Sequence, residues 1–504
     1  MVDPVLTRSG GVVVLLAVVV LAPAARASAS STISPDAFYK LVQSGPRTGL
    51  RVEGDIDLGR AGLGNQLKCR DCRFDGDVVA AGERFKQSVD LSGSHFAGKV
   101  DFTGASFDHD LLASGAVFQG LVSLRNAHVT GRTDLSEASF LDPALVGGAQ
   151  FDEPVDLSLA SFASIASFGS AVFSKSVNFG FTSFRGAAVF TGGSAGTSYA
   201  NPNVLAAAAT FDRATFGGRT DFDSFESDGV ASFVGAEFMG PVNFSQASFG
   251  STARFSDARF DQGGTFVAAD FGDSNRQTLF DGVQSDGDLS FAAATFNGFA
   301  DFEFVDVKGS LSFDRAQFPG AASLHVLDLT AGSYEMSVDS ALTKVKTADR
   351  PAVLGLIESS AKARGDLGLA NDAHYAHEVL NSQHLSPGWR MADVVLYRGI
   401  AGYFVRPLHP LLALLALAAL ITAARARGAL GAALEGTRTT SETAKSFGKA
   451  YLTTLALIPP GGGRAAERQT RQVEVWIYRI LFACALVGFA NANPSLSQML
   501  HALG

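Results

Sequence analysis

The sequence predicts a mainly β protein: a right-handed parallel β-solenoid with helical caps and a C-terminal α-helical membrane region. Three observations carry this. Between Leu58 and Leu329 phenylalanines fall at alternating gaps of five and six residues, as in Phe151, Leu157, Phe162, Phe168, Phe173, Phe179, Phe184 and Phe190, giving a period of eleven. Of the 40 Phe in the chain, 35 lie between Phe74 and Phe318, and a period held that long marks units that stack on one another. Finally, the residue two before the Phe is small or β-branched and the one between is polar, as in Val100-Asp101-Phe102 and Ala247-Ser248-Phe249.

In an extended segment residues i and i−2 point to one side and i−1 to the other. Each unit therefore reads as a very short strand with a small and a large side chain facing inward. Turn formers follow many of the rings, among them Gly104, Gly235, Asp257 and Gly298. An 11-residue period also suits a right-handed coiled coil, but Gly, Asp, Ser and Phe in every unit are poor helix formers. Parallel crossovers are nearly always right-handed.

The A-x-F-x-x units resemble the pentapeptide-repeat proteins, whose motif centres on A-(D/N)-(L/F). The sequence is similar to a Phe-rich variant in which every second unit has six residues. The resemblance implies a quadrilateral β-helix with four units per coil, hence about 22 residues per coil, about 12 coils and a rod roughly 60 Å long at the usual strand spacing. A flatter or rounder coil stays open, because of the six-residue units. Asp108–Ala116, Leu141–Gln150 and Asp273–Leu279 read as less regular, and Thr191–Thr210 as the largest break. Interruptions of this kind become surface loops, either drifting neutrally or forming a binding face.

The ends of the chain differ from its middle. Residues 1–29, with Arg8 before an apolar run and Ala-rich candidate cleavage sites, read as a signal peptide. Within 30–51, a capping helix and linker, Ser34-Pro35 opens a helix to about Gln43. That helix is placed to cover the open strand edge of the solenoid, which spans 52–330. Cys69 and Cys72 form a C-x-x-C, and Cys484 lies in an apolar segment. A redox pair or half a zinc site is one reading of C-x-x-C. Both cysteines also fit inward positions of the ladder, as buried side chains able to pair outside the cell.

Residues 331–400 read as a helical hairpin closing the other end, with helical spacing over Ser340–Arg364 and Leu369–Gln383. His374, His377 and Glu378 lie close together there, as solvated helix residues; a metal site would need a further ligand. Residues 401–504 hold two candidate membrane spans, about 408–424 and 475–492, the second with Trp476, Tyr478 and Arg479 at its start. The loop between them, Arg425–Glu474, has eight Lys/Arg and four acidic residues, which places it in the cytoplasm and the repeat domain outside. Residues 51–329 carry 19 basic and 35 acidic groups, and residues 330–504 carry 17 basic and 12 acidic, so an acidic rod precedes a basic tail.

No nucleophile–base pair, phosphate loop or metal-ligand set stands out, so catalytic, cofactor-binding and metal residues are all read as none. Regular Phe, with Tyr199 the only Tyr of the ladder, reads as core and not as a stacking platform. The expected function is non-catalytic. The chain reads as a protein-interaction or scaffolding module, integral to the bacterial cytoplasmic membrane, with its repeats on the extracytoplasmic side and an unknown protein partner. Two alternatives follow from the resemblance. Gly402-Tyr403…Arg406-Pro407 and Ser446–Ile458 are similar to a two-span potassium-channel module, although Pro459-Pro460-Gly461 stands where a carbonyl-lined filter belongs. The acidic surface is similar to that of DNA-mimic topoisomerase binders, a role that export to the envelope opposes; no nucleic acid is expected as partner.

Overall fold

Two-residue strands recur along the rod: Arg73–Phe74, Val78–Val79, Arg84–Phe85 and Val89–Asp90 form one coil. Each pairs in parallel with the strand 22 residues on, so that Phe74 meets Phe96, Val78 meets Val100, Phe85 meets Phe107 and Val89 meets Leu111. Four strands per coil give four faces, numbered here in that order, and the quadrilateral form holds. The computed structural model describes residues 32–59, 67–192, 194–195, 208–406, 408–409, 411–417, 479, 480 and 483. Its solenoid has about 13 coils.

The five- and six-residue units make two kinds of corner. The longer corner, with four residues between strands, turns on a residue in the left-handed region, and these recur every eleven residues: Gly82, Gly93, Gly104 and Gly115, then Asn126, Glu137, Gly148 and Leu159. Where an outward Asp or Asn stands beside such a corner, it is built into it. Asp101 Oδ1 accepts the Thr103 N–H at 3.0 Å, and Asp134, Asp156, Asn178, Asp221 and Asn243 repeat the bond. Much of the rod's acidity is thus turn chemistry, in which the side chain replaces a backbone acceptor.

The rings form four columns, one behind each face, and not a single column. Along a column they stack in parallel: Phe118 on Phe140 at 5.0 Å, Phe140 on Phe162 at 4.6 Å. Across columns they meet edge to face, as Phe168 does with Phe179 at 5.2 Å and 83°. Both arrangements suit the ring quadrupole, and the parallel repeat follows the strand spacing. Where Leu124, Val146 and Leu157 replace rings, an apolar void of about 10 Å3 remains, no larger than a single water needs.

Two segments that read as irregular are ordinary coils. Within Asp108–Ala116 and Leu141–Gln150, Leu111–Leu112 and Ala144–Leu145 are strands in register with both neighbours. Aliphatic side chains there occupy ring positions, so the Phe period fades while the coil persists. Asp273–Leu279 is a true interruption, for Ala253 pairs with Thr278 instead of a residue 22 on. The larger break is one too: Val177 pairs with Ala209, and residues 196–207 lie outside the described set.

Helix α1, Pro35–Gln43, has Ser34 Oγ accepting the Ala37 N–H, as its sequence predicts. Phe38 and Val42 are fully buried, and the Phe38 ring meets Phe74 edge-on at 5.6 Å, ending that column. The solenoid nevertheless starts before the helix: Thr32–Ile33 pairs with Arg51–Val52. At the other end, strand Thr330–Glu335 pairs with Asp306–Ser312, so the sheet passes residue 330. Helices α2 (Val338–Thr343), α3 (Arg350–Arg364) and α4 (Leu367–Asn381) follow. Ser360 Oγ on α3 accepts the N–H of fully buried Tyr334, which closes the last edge. Gly365 ends α3 at φ +76°, a conformation an L side chain disfavours.

Among the described residues no helix is long and apolar enough to cross a membrane. The predicted signal peptide, the loop 425–474, about half of the first predicted span and nearly all of the second lie outside the described residues, as does Cys484.

Candidate interaction surface

Residues 157–211 contain no Asp or Glu, between Asp156 and Asp212, and their only formal charges are Lys175 and Arg185. The coil geometry turns the described residues of this stretch into a belt around the middle of an acidic rod. On one side of the belt Leu159 and Phe181 occupy the same corner of successive coils. Leu159 N–H donates to Gly180 O, and Phe181 N–H donates to Asp212 O. Both residues are left-handed, at φ 61° and 57°, and both are more than half exposed. Bulky apolar side chains are uncommon in that region; the corners before and after these two carry Glu137 and Arg213, both polar. Arg213, next along the corner, holds its guanidinium 5.5 Å from the Phe181 ring centre.

Across the first face from this corner stand Leu141 and Ile165, exposed by 45% and 48%. Between the two edges the outward strand residues are Ser139, Ser161, Ser183 and Thr215, all uncharged. Serine rows flanked by apolar corners make a flat, desolvable strip. Elsewhere the same face carries charge: Arg51, Arg73, Glu237, Arg259 and Asp306. Exposed ion pairs such as Arg51–Asp75 and Arg259–Asp286 partly neutralise it toward the ends, each contributing little to stability.

The repeat geometry decides the family. A family model described as pentapeptide repeats (9 copies) matches residues 228–270, two coils in which Phe233, Phe238, Phe244, Phe249, Phe255, Phe260 and Phe266 all face inward. The rod is built of pentapeptide repeats. No curated protein and no solved structure matches the chain.

Around the pentapeptide-repeat rod, the residues singled out from sequence fall as follows. Cys69 and Cys72 are fully buried and joined as a disulfide. His374 does not gather a metal set with His377 and Glu378; its Nδ1 lies 3.1 Å from Glu358 Oε1 on α3. Burial pushes the Glu358 carboxyl up, but Lys362 and His374 outweigh it and hold the group below its usual value. The channel-like segment Ser446–Ile458 lies outside the described residues. The belt itself escaped sequence reading. Its signal was present in the acid-free run 157–211, but at that level it gives no faces.

Proposed function

We propose that this pentapeptide-repeat protein is a non-catalytic interaction module of the bacterial cell envelope. In this reading the C-terminal region anchors it in the cytoplasmic membrane and the rod stands on the extracytoplasmic side. The belt is the docking surface. One observation carries the assignment: Leu159 and Phe181 expose large apolar side chains from strained corners, in the one long stretch of the rod without acidic residues. A partner seated there loses little hydration of charge and gains two rigid apolar anchors, the usual make-up of an interface centre. A DNA mimic needs continuous acidity along the rod, and the belt interrupts it.

Two measurements test the proposal. Reporter fusions at Gly320 and Gly436 should report opposite sides of the membrane, the first outside; a cytosolic Gly320 removes the envelope assignment. A photo-crosslinking residue at Ile165 of the full-length chain should capture a discrete envelope protein in cells, and capture should drop at least tenfold in Phe181→Gly. Equal capture from Glu237, on the same face but outside the belt, would remove the belt from the reading.

A further inference from the structure

Near the C-terminal end of the rod the fourth face brings together Asp301, Glu303 and His325. One ligand atom from each lies within 4.8 Å of the others. Asp301 closes the strand Phe299–Asp301 and His325 closes its partner Ser323–His325 on the next coil. His325 Nδ1 is 3.1 Å from Asp301 Oδ1 and 4.0 Å from Glu303 Oε2. Two donors each about 2.1 Å from a metal, at the angles of octahedral or tetrahedral coordination, stand roughly 3.0–3.4 Å apart.

The other side of the ring supplies an independent observation. Asp349 is 6% exposed, and its Oδ2 lies 3.7 Å from His325 Nε2. It directly precedes α3, yet its carboxylate makes no capping bond to that helix. The carboxylate turns instead to the ring and to the Val326 N–H at 3.4 Å. At 3.7 Å the Asp349 carboxylate is an electrostatic neighbour of Nε2 that favours a proton there, which leaves the Nδ1 lone pair for a metal. Three carboxylates around one ring also leave a residual charge of −2 if the ring is protonated. A dication on a neutral ring leaves −1, and buried charge of one sign is costly.

We propose that Asp301, Glu303 and His325 bind one divalent transition-metal ion of the zinc or manganese class, with Asp349 orienting His325. Mixed imidazole and carboxylate donors suit these ions. Each of the three side chains keeps some solvent exposure, so water can fill the remaining positions. The ion would staple the last coils to the helical cap, since Asp349 opens α3.

The test uses the full-length chain, stripped with chelator and titrated separately with Zn2+ and Mn2+ by calorimetry, with bound metal measured after gel filtration. One ion per chain is expected with at least one of the two. Asp301→Asn keeps the acceptor for the Glu303 N–H (3.1 Å), and so keeps the turn while removing a ligand charge. It should weaken binding at least tenfold, as should His325→Ala. Asp349→Asn should weaken it about 10–100-fold, as outer-sphere changes do. Unchanged circular dichroism of the variants separates lost ligation from lost fold. No bound ion, or a metal content unmoved by both His325→Ala and Asp301→Asn, overturns the proposal and leaves His325 as a bridge between carboxylates.

Discussion

Phe211 and Phe233 stack with ring centres 4.8 Å apart and planes within 1°. They sit at the same position of successive coils, so the ring spacing is the strand spacing. Phe233→Ala removes one plate from this column and leaves a cavity that neighbouring backbone cannot close. A loss of about 3–5 kcal/mol is expected. Phe233→Leu should lose less than about 1.5 kcal/mol, because Leu157 fills the same column three coils earlier. Denaturant unfolding of both variants checks the order; equal losses would mean the column is not packed as plates.

Corner glycines should divide into two classes. Gly104 has φ +67° and open space around an added Cβ, so Gly104→Ala meets only the left-handed conformational cost, about 1–2 kcal/mol. At Gly120 an added Cβ would stand 2.6 Å from the Gly98 carbonyl of the preceding coil. Gly120→Ala must push coils apart, and about 1–3 kcal/mol is the usual cost of such overpacking. Proteolysis should then begin near residues 98–120 in Gly120→Ala and be unmoved in Gly104→Ala.

The Cys69–Cys72 disulfide closes a very short loop, and the chain-entropy account gives it about 2 kcal/mol. Reductant should lower the unfolding temperature of the wild type and leave Cys69→Ser/Cys72→Ser unaffected. The same bond reports on compartment. Chain recovered from cells under acid quench should carry the disulfide if the rod is exported.

His95 faces outward on the first face, half-buried beside Arg73 of the preceding coil. Burial, then the Arg73 charge, push its pKa below the ordinary value of 6.5, with Asp75 opposing. A folded value below the unfolded one means the unfolded chain takes up the proton first. The stabilising contribution of the neutral ring is therefore present above about pH 6.5 and is lost as pH falls below it. Val117 holds the same position one coil on, so His95→Val is a natural replacement. Between pH 7 and 5 the unfolding midpoint should fall less steeply in His95→Val than in the wild type; identical slopes would refute the assignment.

The sequence alone determined the solenoid, its 11-residue half-coil, the Ser34-capped helix and the burial of Cys69 and Cys72. Each of these is written in local spacing, because a ring that must face inward recurs at the coil's own period. Only the tertiary structure decided what lies side by side. Leu159 and Phe181 flank the same face as Leu141 and Ile165 because coils stack in register. Asp301 meets His325, 24 residues on, and Asp349 because the last coil is lengthened and the α3 cap folds back on it. Such neighbours depend on the exact length of each coil. Aliphatic coils such as Ala144–Leu145 hide that length, and the breaks within Thr191–Thr210 and Asp273–Leu279, marked in the sequence, do not say by how much they shift the pairing. Exposure was legible only in part: Phe179 keeps the eleven-residue ladder and Phe181 does not, but it is the left-handed corner that sends Phe181 into solvent.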